Sequence, residues 1–162
     1  LSTYEVSFPP FVDINVIPIL TATREDGDLH RNKTGRNALV KKDWTIIRQI
    51  LLRLEEAPTP NTVLRPDHFE HFTQQEVAYN MRLLAEAGFI EANFQELRNG
   101  SGEIGAAIAR RLNNSGHDLL DTIRNDTVWK KIKDTFRDKG LDMTFDLVLS
   151  VGKKIAEQIL LG

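Results

Sequence analysis

No cysteine occurs among the 162 residues, which excludes a disulfide framework and thiolate metal sites. Excess charge of one sign is also missing. Lys and Arg number 21 against 23 Asp and Glu, so no global basic field draws in nucleic acid or an acidic membrane. No apolar run approaches the roughly 18 residues of a membrane span. The first residues lack a basic segment followed by an apolar one, so no signal peptide is read there. What is present is 41% apolar residues, enough for a sizeable core and against wholesale disorder. The length suits one domain, or a smaller domain with an extension. These features predict a soluble cytoplasmic protein.

The chain changes character near Lys41. Before it, "FVDINVIPIL" (11–20) alternates Val12, Ile14 and Val16 with Asp13 and Asn15, the period of a strand, and Pro18 shifts it toward an edge strand. "TREDGDLHRNKTGRN" (23–37) is polar and aperiodic, which reads as a loop or linker. Residues 1–40 are therefore set apart as an extension, and residues 41–162 as the domain.

Within the domain, Asp43 is placed to cap a helix on which Trp44, Ile47, Leu51 and Leu54 recur at helical spacing, widened by Ile50. "APTPN" ends it, because two prolines cannot continue a helix. Residues 57–72 read as irregular, with one short turn around "DHFEHF". Thr73 and Glu76 form a capping-box pattern ahead of a second helix carrying Val77, Met81, Leu84 and Ala85 on one face, and Gly88 stops it. "FIEANF" (89–94) and "AAIARRL" (106–112) flank a glycine-rich turn and read as a hairpin. The second strand runs against propensity, since alanine and arginine prefer helices. Three helices follow: one from Asn114 with Leu119, Leu120 and Ile123, one capped by Asp126, and one capped by Thr144. On the last, Phe145, Val148, Gly152, Ile155, Ala156 and Ile159 form a continuous seam. The expected fold is mainly α with a small β-hairpin, a winged helix-turn-helix-like domain with C-terminal helices.

Three stretches carry a family resemblance: "KKDWTIIRQILLRLEE", "QQEVAYNMRLLAEAGFIEA" and "GHDLLDTIRNDTVWKKIKD". The last is the most distinctive, through Gly116, His117, Asp118, Leu120, Asp121, Arg124, Asp126, Thr127, Val128 and Trp129. On these motifs residues 41–161 resemble an uncharacterised bacterial and prophage family, the domain of unknown function 2513. The resemblance implies a winged-helix-like fold and brings no activity with it. Asn113, Asn114 and Ser115 depart from it, standing where members tend to have a threonine–tryptophan or similar pair. It also implies a unit beginning near Lys41, so Val40 reads as a start position and residues 1–39 as no part of the functional unit. The competing expectation is an accessory strand that pairs with a sheet edge.

Chemistry-bearing patterns are few. "GSGEIG" (100–105) matches G-x-G-x-x-G, but no buried strand precedes it and no alternating strand–helix pattern follows, so no cofactor is expected. "DHFEH" spaces His68 and His71 as zinc ligands would be spaced on a helix, yet prolines crowd the segment and no third ligand lies nearby, so no metal is expected. Nucleophile–base arrangements and paired carboxylates are missing, and an enzyme is not expected.

Nucleic acid remains the leading partner. Projecting residues 74–87 at about 100° each brings Gln75, Tyr79, Arg82 and Glu86 together, opposite Val77 and Met81. Gln75, Tyr79 and Arg82 are then placed to face bases in double-stranded DNA. Arg98, Arg110 and Arg111 on the hairpin are placed to hold phosphates, with Lys41 and Lys42 assisting. Against this, residues from Lys41 onward hold 17 basic and 18 acidic side chains, a net of −1. The first reading is a phage- or prophage-type DNA-binding regulator. The alternative is a winged-helix protein–protein interaction module without DNA binding. A contiguous positive surface joining helix 74–87 to the hairpin would favour the first, scattered charge the second. Gly152 and Ala156, four apart on the last helix, suggest a homodimer through that helix.

Overall fold

The computed structural model describes residues 40–162; the expectations for residues 1–39 lie outside them. Helix α1 (Trp44–Glu55) starts where expected. The Asp43 carboxylate accepts from the amides of Thr45 and Ile46, and Ile46, Ile47, Ile50, Leu51 and Leu54 are buried. Trp44 stays half-buried, because its ring lies among aromatic neighbours at the edge of the core.

Residues 57–72 are mostly irregular. Leu64 nevertheless makes an antiparallel bridge to Ala109, with N–H to carbonyl bonds of 2.8 and 2.9 Å in the two directions. A single 3-10 turn spans Pro66–His68, and Phe69 beyond it is buried. Helix α2 (Gln74–Glu86) begins with the capping box that Thr73 and Glu76 predict. Val77, Ala78, Met81 and Leu84 point into the core.

Strands β1 (Ile90–Glu96) and β2 (Ile104–Leu112) pair antiparallel. Glu91 faces Arg111 while Ala92 faces Ala109, so Arg110 is an extra residue; Gly105 is another, between Gln95–Ala106 and Glu96–Ile104. β2 is a strand despite its alanines and arginines. Ala107 and Ala109 are small enough to let it lie close on α1 and α2, and both are buried. Packing overrides a propensity worth less than about 1 kcal/mol per residue.

Helices α3 (Asn114–Ile123), α4 (Asp126–Lys139) and α5 (Phe145–Leu161) complete the domain. The cap of α4 needs correction: Asn125, not Asp126, accepts from the amides of Thr127 and Val128. Asp126 is the first helical residue, and its carboxylate is taken by Arg48. Gly140 closes α4 in the left-handed region at φ 59°, where a side chain would be strained.

α1 lies at the centre, packed on α2, β2 and α3, and one apolar cluster runs from it through α4 to α5. The seam expected on α5 is shorter than its pattern. Val148, Gly152 and Ile155 are buried, but Ile159 is 48% exposed, because α5 runs past the helices beneath it. Gly152 corrects a second expectation. A Cβ there would sit 2.1 Å from Thr122 Cγ2 and 3.2 Å from Ile132 Cδ1, so this close approach is made to α3 and α4 of the same chain. Gly152 is therefore not available to a second copy, and the homodimer drawn through the Gly152–Ala156 seam loses its basis.

Candidate functional site

The side chains singled out for nucleic-acid contact come from α2, the hairpin and the residues ahead of α1. The apolar stripe of α2 faces inward, so Tyr79 and Glu86 lie at the middle of its outer side. Gln75 and Arg82 sit on the flank nearer the hairpin and are engaged with it. The Gln75 amide donates to the Ile104 carbonyl at 2.8 Å and accepts from the Ile104 N–H at 3.2 Å. The Arg82 guanidinium pairs with Glu96 at 3.0 Å and lies over the Phe94 ring, 5.5 Å from its centroid.

Arg111 pairs with Glu91, directly across the hairpin. The hydrogen bond from Arg111 holds the Glu91 carboxyl below its ordinary range, slight desolvation opposes this, and the charges of Arg111 and Arg110 add to it. The same bond raises the Arg111 guanidinium. Arg98 is exposed in the turn and Arg110 is exposed at the base of the hairpin. Along a seven-residue strand these positions are roughly 20 Å apart. Lys41 is exposed, and its carbonyl accepts from Asn80 at 3.2 Å. Lys42 is engaged at α5: Nζ donates to the Met143 carbonyl at 2.6 Å and lies 5.5 and 5.3 Å from the Trp44 and Phe145 ring centroids.

The structure thus joins Gln75 and Arg82 to the hairpin, leaves Tyr79 on the outer side of α2, and scatters the eight residues rather than gathering them. Residues 74–112 hold four arginines and five glutamates as their only formally charged side chains. Two of the arginines are matched with carboxylates where α2 and β2 meet β1. Among the described residues, the one cation on α2, Arg82, is paired with Glu96, so no run of free cations links helix to hairpin.

Sequence reasoning passed over a denser set of polar contacts. Arg48 donates to the Ile123 carbonyl at 2.9 Å, to the Arg124 carbonyl at 2.6 Å and to Asp126 at 2.6 Å, which caps the corner between α3 and α4. Arg124 reaches back to Glu55 at 2.6 Å and along its own helix to Asp121 at 2.9 Å; the Glu55 bond is the main cause raising its guanidinium. Gly116 brings α3 against the Phe89 carbonyl, and Trp129 lies on Trp44 with centroids 5.7 Å apart. The most distinctive motif of the sequence therefore fastens α1 to α3 and α4. Arg48 and Glu55, seven apart on one face of α1, were the available signal. Asn80 is the one fully buried polar side chain among the described residues. It accepts from the Asp43 N–H at 2.8 Å and donates to the Lys41 and Glu76 carbonyls.

Elsewhere, His68 Nδ1 accepts from the Arg65 amide, and no group of three or more His, Cys, Asp or Glu among the described residues is arranged to hold a metal. The "GSGEIG" stretch forms the hairpin turn and leads into β2 rather than into a helix.

With this arrangement in view, comparison with known proteins is direct. The family model described as "Hypothetical protein (DUF2513)" matches residues 41–142. The chain belongs to the DUF2513 family. An uncharacterized protein of Haemophilus influenzae is 42% identical over 122 residues, covering 75% of this chain and 99% of that protein. No solved structure matches at a significant level. The DUF2513 match takes in the α1–α3–α4 fastening whole, from Arg48 and Glu55 to Arg124 and Asp126. No helix among the described residues is long and apolar enough to cross a membrane.

Proposed function

We propose that this DUF2513 chain is a winged-helix interaction module that recognises a protein partner and has no DNA role. The order helix, bridging residue, short turn, helix, hairpin supports the winged-helix part, with Leu64 in the position of a third strand against β2. A three-residue 3-10 turn takes the place of the first helix of a helix-turn-helix.

The observation that carries the functional reading is the pairing of Arg82 with Glu96 and Arg111 with Glu91. Duplex binding draws its affinity from cations that release phosphate counterions. An arginine already held by a carboxylate exchanges one anion for another and leaves that carboxylate facing the phosphates. The second reading, a small DNA-binding regulator, is favoured by Arg98 and Arg110, which are exposed and make no ion pair among the described residues.

Two measurements separate the readings. Fluorescence anisotropy of a labelled random duplex at low salt is expected to show no saturable binding at micromolar protein. Saturable binding by the unaltered chain would overturn the proposal. The double variant Glu91→Gln/Glu96→Gln frees two arginines and is expected to gain weak binding, with a log–log salt slope near −1.8 for about two phosphates. A photo-crosslinking amino acid in place of Tyr79 is expected to trap a polypeptide in cells, and trapped nucleic acid would support the second reading instead.

A further inference from the structure

The two edges of the hairpin differ. On the outer edge of β2, Ala109 exchanges both backbone bonds with Leu64, and the Gln75 amide satisfies both the N–H and the carbonyl of Ile104. Among the described residues, no backbone hydrogen bond from an element other than β2 reaches residues 90–96 of β1.

The register says which groups are left open. Ala109 and Ile104 turn their N–H and carbonyl away from β1, so their partners Ala92 and Glu96 turn theirs away from β2. Both extra residues lie in β2, so the alternation is unbroken along β1 and Phe94 opens outward as well. An unpaired edge of this length is a template for another strand, and charged side chains are a usual deterrent. Here each edge carboxylate, Glu91 and Glu96, is neutralised by an arginine of the same chain.

We propose that this edge pairs antiparallel with the same edge of a second copy, about a two-fold axis at Asn93. With that axis all seven residues of β1 overlap, Glu91 meets Gln95 of the second copy, Glu96 meets Ile90, and no two carboxylates oppose. An axis one residue to either side shortens the pairing by two residues. The two hairpins become one four-stranded sheet, and the bonding positions are Ala92 with Phe94 and Ile90 with Glu96. This interface uses backbone edges and is independent of what the outer side of α2 recognises.

At the axis the two Asn93 side chains meet at a non-hydrogen-bonded pair with Cα atoms about 4.5 Å apart, within disulfide reach. Asn93 is exposed and the chain has no cysteine, so Asn93→Cys introduces a single thiol. Light scattering on the unaltered full chain should give twice the 18.4 kDa chain mass. Under mild oxidation at about 10 µM protein, N93C should link into dimers about a hundredfold faster than Lys154→Cys on exposed α5, since an effective concentration of about 1 mM replaces an encounter at about 10 µM. A mass of one chain at about 100 µM would overturn the proposal; so would a dimer in which N93C links no faster than K154C.

Discussion

Replacing Gly116 by alanine tests whether the most distinctive motif acts through packing. A Cβ at this position would lie 2.0 Å from the Phe89 carbonyl oxygen, 3.0 Å from its carbon and 3.4 Å from Leu112 Cβ. The first two atoms are backbone, and the Phe89 carbonyl is already bound by the Asn113 amide at 2.8 Å, so neither side yields by rotating a side chain. Restoring an ordinary contact of about 3.2 Å requires α3 and the entry to β1 to part by roughly 1 Å, and overpacking of this kind costs about 3 kcal/mol. Alanine returns about 1 kcal/mol by its helix propensity inside α3, which leaves a net loss of about 2 kcal/mol. Urea denaturation followed by circular dichroism should show a lower midpoint with an unchanged slope, and Tm should fall by roughly 6–12 °C. A G116A protein as stable as the original, or more so, would mean that helix propensity alone acts there, and the packing account of the motif would be refuted.

Asn80→Ala removes the acceptor for the Asp43 amide and the donor to the Lys41 carbonyl; a loss of about 1–3 kcal/mol is expected in the same urea experiment. Gly152→Ala meets Thr122 Cγ2, a side-chain methyl, and should cost about 1–3 kcal/mol. Thr122→Ser removes that methyl and should recover part of the loss, which a double-mutant cycle reads as coupling. The hydrogen bond from Arg111 holds the folded Glu91 carboxyl below the ordinary carboxylate range, so its pairing is present above the unfolded pKa and lost as pH falls through the folded value. Following that carboxyl by NMR, Arg111→Gln should move its midpoint upward toward 4.5. An unmoved midpoint would remove Arg111 as the cause.

Local signals were the legible part of this fold. Asp43, Thr73 with Glu76, and Thr144 are caps in the structure because a side-chain oxygen next to an apolar repeat has one nearby use, the free amides of a first turn. Asp126 shows the limit. Asn125 and Asp126 are both capping residues, and the choice fell to a contact from Arg48, far away in sequence. The same reason hides how the side chains of α2 are engaged. Helical projection places Gln75, Tyr79 and Arg82 on one side of α2, but whether an arginine is free depends on which carboxylate lies across a strand, and that is set by register. Glu96 and Glu91 reach Arg82 and Arg111 only once the hairpin and its two extra residues are in place. The small residues misled in a similar way. Gly152 signals a close approach, and the spacing is silent on whether the approaching surface belongs to another chain or to Thr122.

The distribution of ion pairs gives the molecule its functional outline. Arg48, Glu55, Asp121, Arg124 and Asp126 are consumed in holding α1 to the corner of α3 and α4, so the charge-rich motif has little left to offer a ligand. At the hairpin the same pairing has the opposite consequence, because half-buried Arg82 with Glu96, and exposed Arg111 with Glu91, neutralise the two carboxylates of one strand edge. Pairs in contact with solvent are screened and contribute little to stability, so the fold hardly requires them. Their larger effect is to leave β1 without net charge while its outward backbone groups have no partner among the described residues. A neutral strand whose edge is open among the described residues suits a second strand far better than it suits a phosphate backbone, which is the physical ground of the proposed protein contact.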